Sequence, residues 1–404
     1  MNNIPRIYLD HHATTPVDPR VVRAMAPLWG ETYGNAASWH AFGKEARQIV
    51  EHARECIARA VGAEGKAIVF TSGATESANL ALQGVMEFNK DKGNHLVTTR
   101  TEHPAIHDCC QALKKKGYEM TVLPVDEFGR VDPDAVREAI TEKTTLISVI
   151  HANNEIGTLN DVAAIGRVAK EKGVLFHCDA AQSLGKVELD VEAMGIDLLS
   201  LSAHKTYGPK GVGALYCRRR NPRVRLDPIL HGGGHERGFR PGTLNAPGIV
   251  GFGKACEIVV REREEESNRV GALRDLLQKE ITDSLKGVVR NGHPVETLPG
   301  NLNLSFSGVN GMELLGQLPE IALSLGSACT SAVPTPSRVL RAIGVTAELA
   351  GSSVRFGIGR FNTEEEIRQT ANRVSEVVRK LRQNSPSGDD SDDSDDSCLL
   401  GREL

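Results

Sequence analysis

One stretch constrains this chain more than any other: Leu198-Leu-Ser-Leu-Ser-Ala-His-Lys-Thr-Tyr-Gly-Pro-Lys-Gly-Val-Gly213. It begins as a short apolar strand and turns polar at Ser202, His204 and Lys205. The Tyr-Gly-Pro-Lys-Gly that follows breaks any regular element. A lysine at the end of a buried strand is costly to keep charged, and desolvation lowers its pKa toward neutrality. That is the chemical condition for a Schiff base with an aldehyde. Taken alone, the segment reads first as an ordinary exposed loop lysine.

A second stretch changes the balance. Gly173-Val-Leu-Phe-His-Cys-Asp-Ala-Ala-Gln182 is also an apolar strand, and it ends in the carboxylate of Asp179 with Gln182 one turn on. Open parallel sheets bind ligands outside the carboxyl ends of their strands, so the two ends can face one small molecule. For pyridoxal phosphate, a carboxylate holds the pyridine nitrogen protonated while a lysine carries the aldehyde carbon. Together the two strands make a pyridoxal phosphate enzyme the leading expectation.

The rest of the chain alternates strand and helix. Lys44 to Val61 has apolar residues in helical spacing, and Ala67–Glu76, His95–His103 and Thr144–Asn154 each read as a strand that ends in polar residues. This argues for a parallel sheet in an α/β domain. From Ile258 the character shifts to one long charged helix, followed by the strictly alternating Asn301–Ser307 and Ser353–Gly359. Thr363-Glu-Glu-Glu366 is a capping box that opens a last helix to about Gln383. The expected organisation is a large domain over 15–257 and a smaller α+β domain from 1–14 and 258–384. The repeated Ser-Asp-Asp after Ser385 has nothing apolar to bury and is expected to be disordered.

Candidate site residues stand mostly at strand ends. Thr71-Ser-Gly-Ala-Thr75 joins a strand to a helix and reads as a phosphate seat or as a plain capped helix start. Ser202 and His204 could complete such a seat. His103 sits in a turn fixed by Pro104, able to stack on a ring and exchange protons or to be an ordinary surface histidine. Asn154 ends another strand. Arg355 shares a strand face with Gly357 and Gly359, which leaves room for a bidentate carboxylate or for a local acid. Cys329 lies among small residues in Ser324-Leu-Gly-Ser-Ala-Cys-Thr-Ser-Ala-Val-Pro334, a setting that suits a nucleophilic thiol. Cys56, Cys178, Cys217 and Cys256 read as core residues.

Composition excludes several classes. The formal net charge is −4, but the tail from Ser385 alone carries −6 and leaves the remainder slightly basic. No nucleic-acid surface is expected; the basic run Arg218–Arg225 reads first as a solvated strand edge and second as an anion site. No apolar run is long enough to cross a membrane, and the first residues lack a secretory pattern, so a cytoplasmic protein is expected. Eight cysteines without a CxxC pair fit neither a disulfide framework nor a zinc site.

From Tyr8 to about Leu381 the chain resembles the cysteine desulfurases of the IscS/NifS type, within the class V aminotransferase-like enzymes. The resemblance rests on Thr71-Ser-Gly-Ala-Thr-Glu-Ser77, Thr101-Glu-His103, Asn153-Asn-Glu-Ile-Gly157, His177-Cys-Asp-Ala-Ala-Gln182, Ser202-Ala-His-Lys205, Gly232-Gly-Gly-His-Glu-Arg237, Gly242-Thr243 and Ser327-Ala-Cys-Thr-Ser331. It implies a fold type I pyridoxal phosphate transferase, with a large, mainly parallel domain and a smaller α+β one. By resemblance Lys205 forms the Schiff base, Asp179 partners the pyridinium nitrogen and Gln182 lies near the phenolic oxygen. Ala74, Thr75, Ser202 and His204 surround the phosphate, and Thr243 reaches the phosphate of a second subunit, which implies a homodimer. Asn154 and Arg355 hold the substrate carboxylate, and His103 stacks on the ring. Cys329 accepts sulfur from L-cysteine as a persulfide and passes it to an iron–sulfur scaffold or another acceptor. No resident metal is implied, Cys329 being at most a transient iron–sulfur ligand. Leu325 stands where the pattern has a serine, and the usual scaffold-docking C-terminus is not recognisable. A selenocysteine lyase or another β-lyase would share the cofactor residues, and a sulfur-carrying subunit without turnover would share the cysteine loop.

Overall fold

The computed structural model of the chain describes residues 6–325 and 337–384. The loop around Cys329 and the acidic tail therefore lie outside the described residues.

Seven strands form the central sheet, in the order Ile68–Thr71, Gly213–Cys217, Leu198–Ser202, Leu175–Asp179, Thr144–Ile150, His95–Thr99, Glu119–Leu123. Only Gly213–Cys217 runs antiparallel to its neighbours. The sheet is thus mainly parallel, and the strands Leu175–Asp179 and Leu198–Ser202 are paired side by side, Asp179 opposite Ser200. Both are apolar runs buried on both faces, as a parallel sheet between helix layers requires.

A second core gathers Leu302, Leu304, Phe306, Val354 and Phe356 against Leu273, Leu277 and Ile281 of one helix and Val374 and Val378 of another. Ile7 and Leu9, from the start of the chain, join it, and Ile7–Tyr8 pairs in parallel with Ile321–Ala322. The small sheet is antiparallel, with Asn301–Phe306 between Val288–Asn291 and Ser353–Gly357. Thr363 and Glu366 form the reciprocal capping box: Glu366 accepts from the Thr363 N–H at 3.0 Å, and the Thr363 hydroxyl accepts from the Glu366 N–H at 3.3 Å.

Two elements differ from the sequence expectation. The long helix begins at Ala246, not Ile258, capped by Asn245, and runs to Ser284. Its first turns are rich in glycine, which weakens a helical signal, but the glycines permit close packing. A Cβ on Gly253 would lie 2.6 Å from the Cα of Ala53 on the helix Ala41–Arg59. The alternating strand Asn301–Phe306 is buried on both faces rather than one. Its polar face is paid for by hydrogen bonds: Asn291 and Ser353 donate to the Asn303 amide oxygen at 2.8 and 2.7 Å, and Asn303 donates to the Glu155 carbonyl at 3.2 Å. That polar face meets the end of the large sheet, and Arg355, paired with Asn303 in the register, lies on it.

Among the described residues no helix is long and apolar enough to cross a membrane. The six described cysteines are free and buried. In the basic run, Arg218 is taken up by Glu192 at 2.7 Å and Asp197 at 2.9 Å, and Arg220 pairs with Glu64. This favours the strand-edge reading over an anion site.

Candidate active site

A cleft of about 480 Å³ opens where the carboxyl ends of the large sheet meet the small antiparallel sheet. Its lining brings together Ala74, Thr75, His103, Asn154, Asp179, Gln182, Ser202, His204, Lys205 and Arg355. Thr243 does not line it and is exposed after the Gly-rich loop. Cys329 lies outside the described residues.

Lys205 follows the strand Leu198–Ser202 after one tight turn, Ala203–Lys205. Its Nζ donates to the carbonyls of His12 and Ala13 at 2.6 and 2.8 Å. Asp179 closes the neighbouring strand, is 5% exposed, and accepts from the Ala181 N–H at 3.0 Å. Burial pushes its carboxyl up, while His103 and Lys205 pull it down. A carboxyl balanced in this way can share a proton with a bound heteroaromatic nitrogen.

His103 caps the helix Pro104–Lys115, its Nδ1 accepting from the Ala105 N–H at 3.1 Å. Nε2 is therefore the nitrogen left for proton transfer. Burial first, with Lys205 and Arg338 nearby, lowers its pKa despite Asp179, so the ring is neutral at physiological pH. His204 is lowered to about 4 by burial and by Lys205, and its Nδ1 lies 3.1 Å from the Thr14 hydroxyl. The helix Ala74–Phe88 starts at Gly73 with its first N–H groups at the cleft. Such a terminus, flanked by Thr75 and Ser202, suits an anion.

Asn153 builds the turn that presents Asn154. Its side chain accepts from the N–H groups of Glu155 and Ile156 and donates to the Thr101 carbonyl. Gly157 must be glycine: its φ is +76° and a Cβ would meet Asn301 at 2.6 Å. Arg355 is 2% exposed; Nη1 donates to the Asn154 carbonyl at 2.8 Å and Nη2 to Asp10 at 3.0 Å, while Nε has no acceptor among the described residues. Of the two possibilities raised for Arg355, the local acid is present as Asp10.

Sequence reasoning missed three contributors. Asp10 is separated from Arg355 by most of the chain, and nothing local marks the pairing. Glu102 is wholly buried, accepts from Thr99 Oγ1 at 2.7 Å and the Ile150 N–H at 2.9 Å, and is pushed up to about 8 by burial. It ties the strand ends beside His103. Lys186 Nζ donates to the Gln182 amide oxygen at 3.0 Å.

The family model for class-V aminotransferases matches residues 7–370. Over 381 residues the chain is 56% identical to the cysteine desulfurase IscS of Anaeromyxobacter dehalogenans, 94% of each chain being covered. Among solved structures it is similar to a NifS-like protein, with a TM-score of 0.87 and 36% identity over 93% of this chain and 100% of that one. It is also similar to SspA in complex with cysteine, with a TM-score of 0.78 and 37% identity over 88% and 100%. On the matched family model and on these relatives, the chain belongs to the class-V aminotransferase family, in its branch of IscS/NifS-type cysteine desulfurases.

Proposed function

We propose that this chain is a pyridoxal phosphate-dependent cysteine desulfurase that releases L-alanine from L-cysteine and carries the sulfur on Cys329. The observation behind this reading is the convergence in one cleft of Lys205, the buried Asp179 and Arg355. The residues fit the cofactor: Asp179 for the ring nitrogen, Gln182 for the phenolic oxygen, and Ala74, Thr75, Ser202 and His204 for the phosphate. When bound, pyridoxal phosphate supplies an aldehyde for the substrate amine and a ring that withdraws electrons from Cα.

Each residue then has a defined task. Arg355, held in place by Asp10, would offer its guanidinium to the substrate carboxylate, with Asn154 beside it. Lys205 would hold the aldehyde and, as a free amine, would take the Cα proton. His103 would lie against the ring and move protons through Nε2. The Cys329 thiolate attacks the substrate sulfur: the S–S bond forms, the Cβ–S bond breaks, and the electron pair stays on carbon, where a proton completes alanine. A persulfide on a thiol can then pass to an acceptor protein, an iron–sulfur scaffold being the partner this chemistry serves. The purified protein given L-cysteine and a thiol reductant is expected to release alanine and sulfide in equal amounts. Alanine without sulfide, or neither product, would contradict the reading.

The chain is further proposed to act as a cytoplasmic homodimer. Thr243 is exposed outside its own cleft, and Trp29, Tyr33, Trp39 and Phe42 are exposed aromatics, the rings of Tyr33 and Phe42 5.8 Å apart. Exposed aromatics favour a covering partner, and a second copy would also bring Thr243 to the neighbouring cleft. Sedimentation is expected to give about twice the 43.6 kDa chain mass, and an active monomer at assay concentration would refute the dimer. The two hydrophobic cores support a division into a large domain, 15–257, and a small one, 1–14 with 258–384.

A further inference from the structure

We propose that Lys186 is a positioning residue for the cofactor, fixing the amide of Gln182 so that its NH₂ group, not its carbonyl, is presented to the cleft. This rests on the reading of the cleft as a pyridoxal phosphate site.

Gln182 is 4% exposed and sits in a small hydrogen-bonded ring. Its Oε1 lies 3.0 Å from Lys186 Nζ and 3.2 Å from His12 Nδ1, and its Nε2 donates to the His12 carbonyl at 2.9 Å. That same carbonyl accepts from Lys205 Nζ at 2.6 Å, so Lys186 and Lys205 are linked through Gln182 and His12.

The two ends of an amide are nearly the same size, and only the partners decide which way it faces. His12 and Gln182 alone leave the choice open. Burial keeps His12 neutral, with a single ring hydrogen, and its Nε2 lies 3.2 Å from the Gly300 carbonyl. If Nδ1 carries the hydrogen, Gln182 must offer Oε1 there, and Nε2 faces Gly300 without a proton. If Nε2 carries it, the amide is better reversed, and its oxygen then faces the His12 carbonyl. Each arrangement has one mismatched contact.

Lys186 decides between them. An ammonium has hydrogens to give and no lone pair to offer, so the amide atom 3.0 Å away must be the oxygen. The charged groups around Lys186 are Lys205 and Arg355, which disfavour its charge, and Glu266, which favours it; Ser267 also donates to its backbone carbonyl at 2.8 Å. Burial with these neighbours lowers its pKa to about 7, so the ammonium that dictates the orientation is the form present below that pH.

With the amide so fixed, one Nε2 hydrogen goes to His12 and the other has no acceptor among the described residues. It is available to an oxygen bound in the cleft beside Lys205. A donor there stabilises an anionic phenolic oxygen, whereas a carbonyl would repel it. Without the donor, the oxygen becomes more basic and the proton it shares with the Lys205 nitrogen is held more tightly.

The test is a pH titration of the visible absorbance of the protein loaded with pyridoxal phosphate, read alongside the dissociation constant for the cofactor. Lys186→Met is expected to raise the titration midpoint by about one pH unit, and Lys186→Arg to restore it. In a Gln182→Leu background, Lys186→Met should add no further shift, because its effect passes through the amide. If Lys186→Met does not fold, Lys186→Gln serves: a neutral amide both donates and accepts, no longer dictates the orientation, and should shift the midpoint in the same direction. An unchanged midpoint in a loaded Lys186 variant would overturn the inference, as would an undiminished shift in the Gln182→Leu background. A parent protein that takes up no cofactor would instead overturn the reading of the cleft itself.

Discussion

Replacing Lys205 by alanine is expected to lower alanine formation at saturating cysteine by about 10⁴-fold, the upper range for losing a positioned acid–base group. Two losses combine. The amine that would hold the cofactor aldehyde is gone, and so is the group that would take the Cα proton. No other amine replaces it easily. Lys210 also lines the cleft, but it lies in the loop beyond the tight turn rather than at the strand end. Lys186 is turned to Gln182. The fold should tolerate the change, since Lys205 Nζ donates to the carbonyls of His12 and Ala13 in the cleft, and the strand beneath it is held by its apolar side chains. Cofactor uptake by the variant, measured by absorbance after dialysis, should be weaker and fully reversible. Turnover within tenfold of the parent would refute the assignment of Lys205.

Cys329→Ser is expected to abolish sulfide release, by at least about 10²-fold, while leaving cofactor binding intact. The nucleophile in sulfur transfer is a thiolate, and a hydroxyl is almost never ionised near neutral pH. None of the other described cysteines is placed to substitute. Burial pushes the Cys109 thiol to about 11 and Cys217 to about 12, and Cys178 is raised far above its ordinary value. The variant should still bind cysteine and change the cofactor's absorbance, then stop. After limited cysteine, mass spectrometry of the parent protein should find one extra sulfur on the peptide that carries Cys329. Extra sulfur on Cys109 or Cys110, with full activity in Cys329→Ser, would overturn the proposed transfer.

Much of the site is legible in the sequence because a parallel strand announces its own end. Apolar runs that turn abruptly polar mark Asp179, Lys205, His103 and Asn154, and the sheet brings these ends to one edge whatever the details of packing. Arg355 is legible as a face position, by its alternation with Val354, Phe356 and Ile358. What holds it is not. Asp10 lies at the other end of the chain, and only the return of residues 7–10 to the small domain brings the two within 3.0 Å. The polar face of Asn301–Phe306 looks solvent-exposed in the sequence because periodicity separates two faces but does not say what covers either. The early start of the helix at Ala246 is hidden for a related reason. Glycines at 248, 251 and 253 argue against a helix locally, and their value appears only when Ala53 and Met25 are packed against them. Lys186 carries no signal at all, since its part depends on the orientation of another side chain.

The central claim is that Lys205, and not another amine, holds the cofactor. Borohydride treatment of the protein loaded with pyridoxal phosphate, followed by proteolysis and mass spectrometry, tests it directly. The account predicts one reduced pyridoxyl phosphate group per chain, on the peptide carrying Lys205 and absent from Lys205→Ala. A group found on the peptide of Lys186 or Lys210 instead, or no stable attachment in a protein that still releases alanine and sulfide, would contradict it.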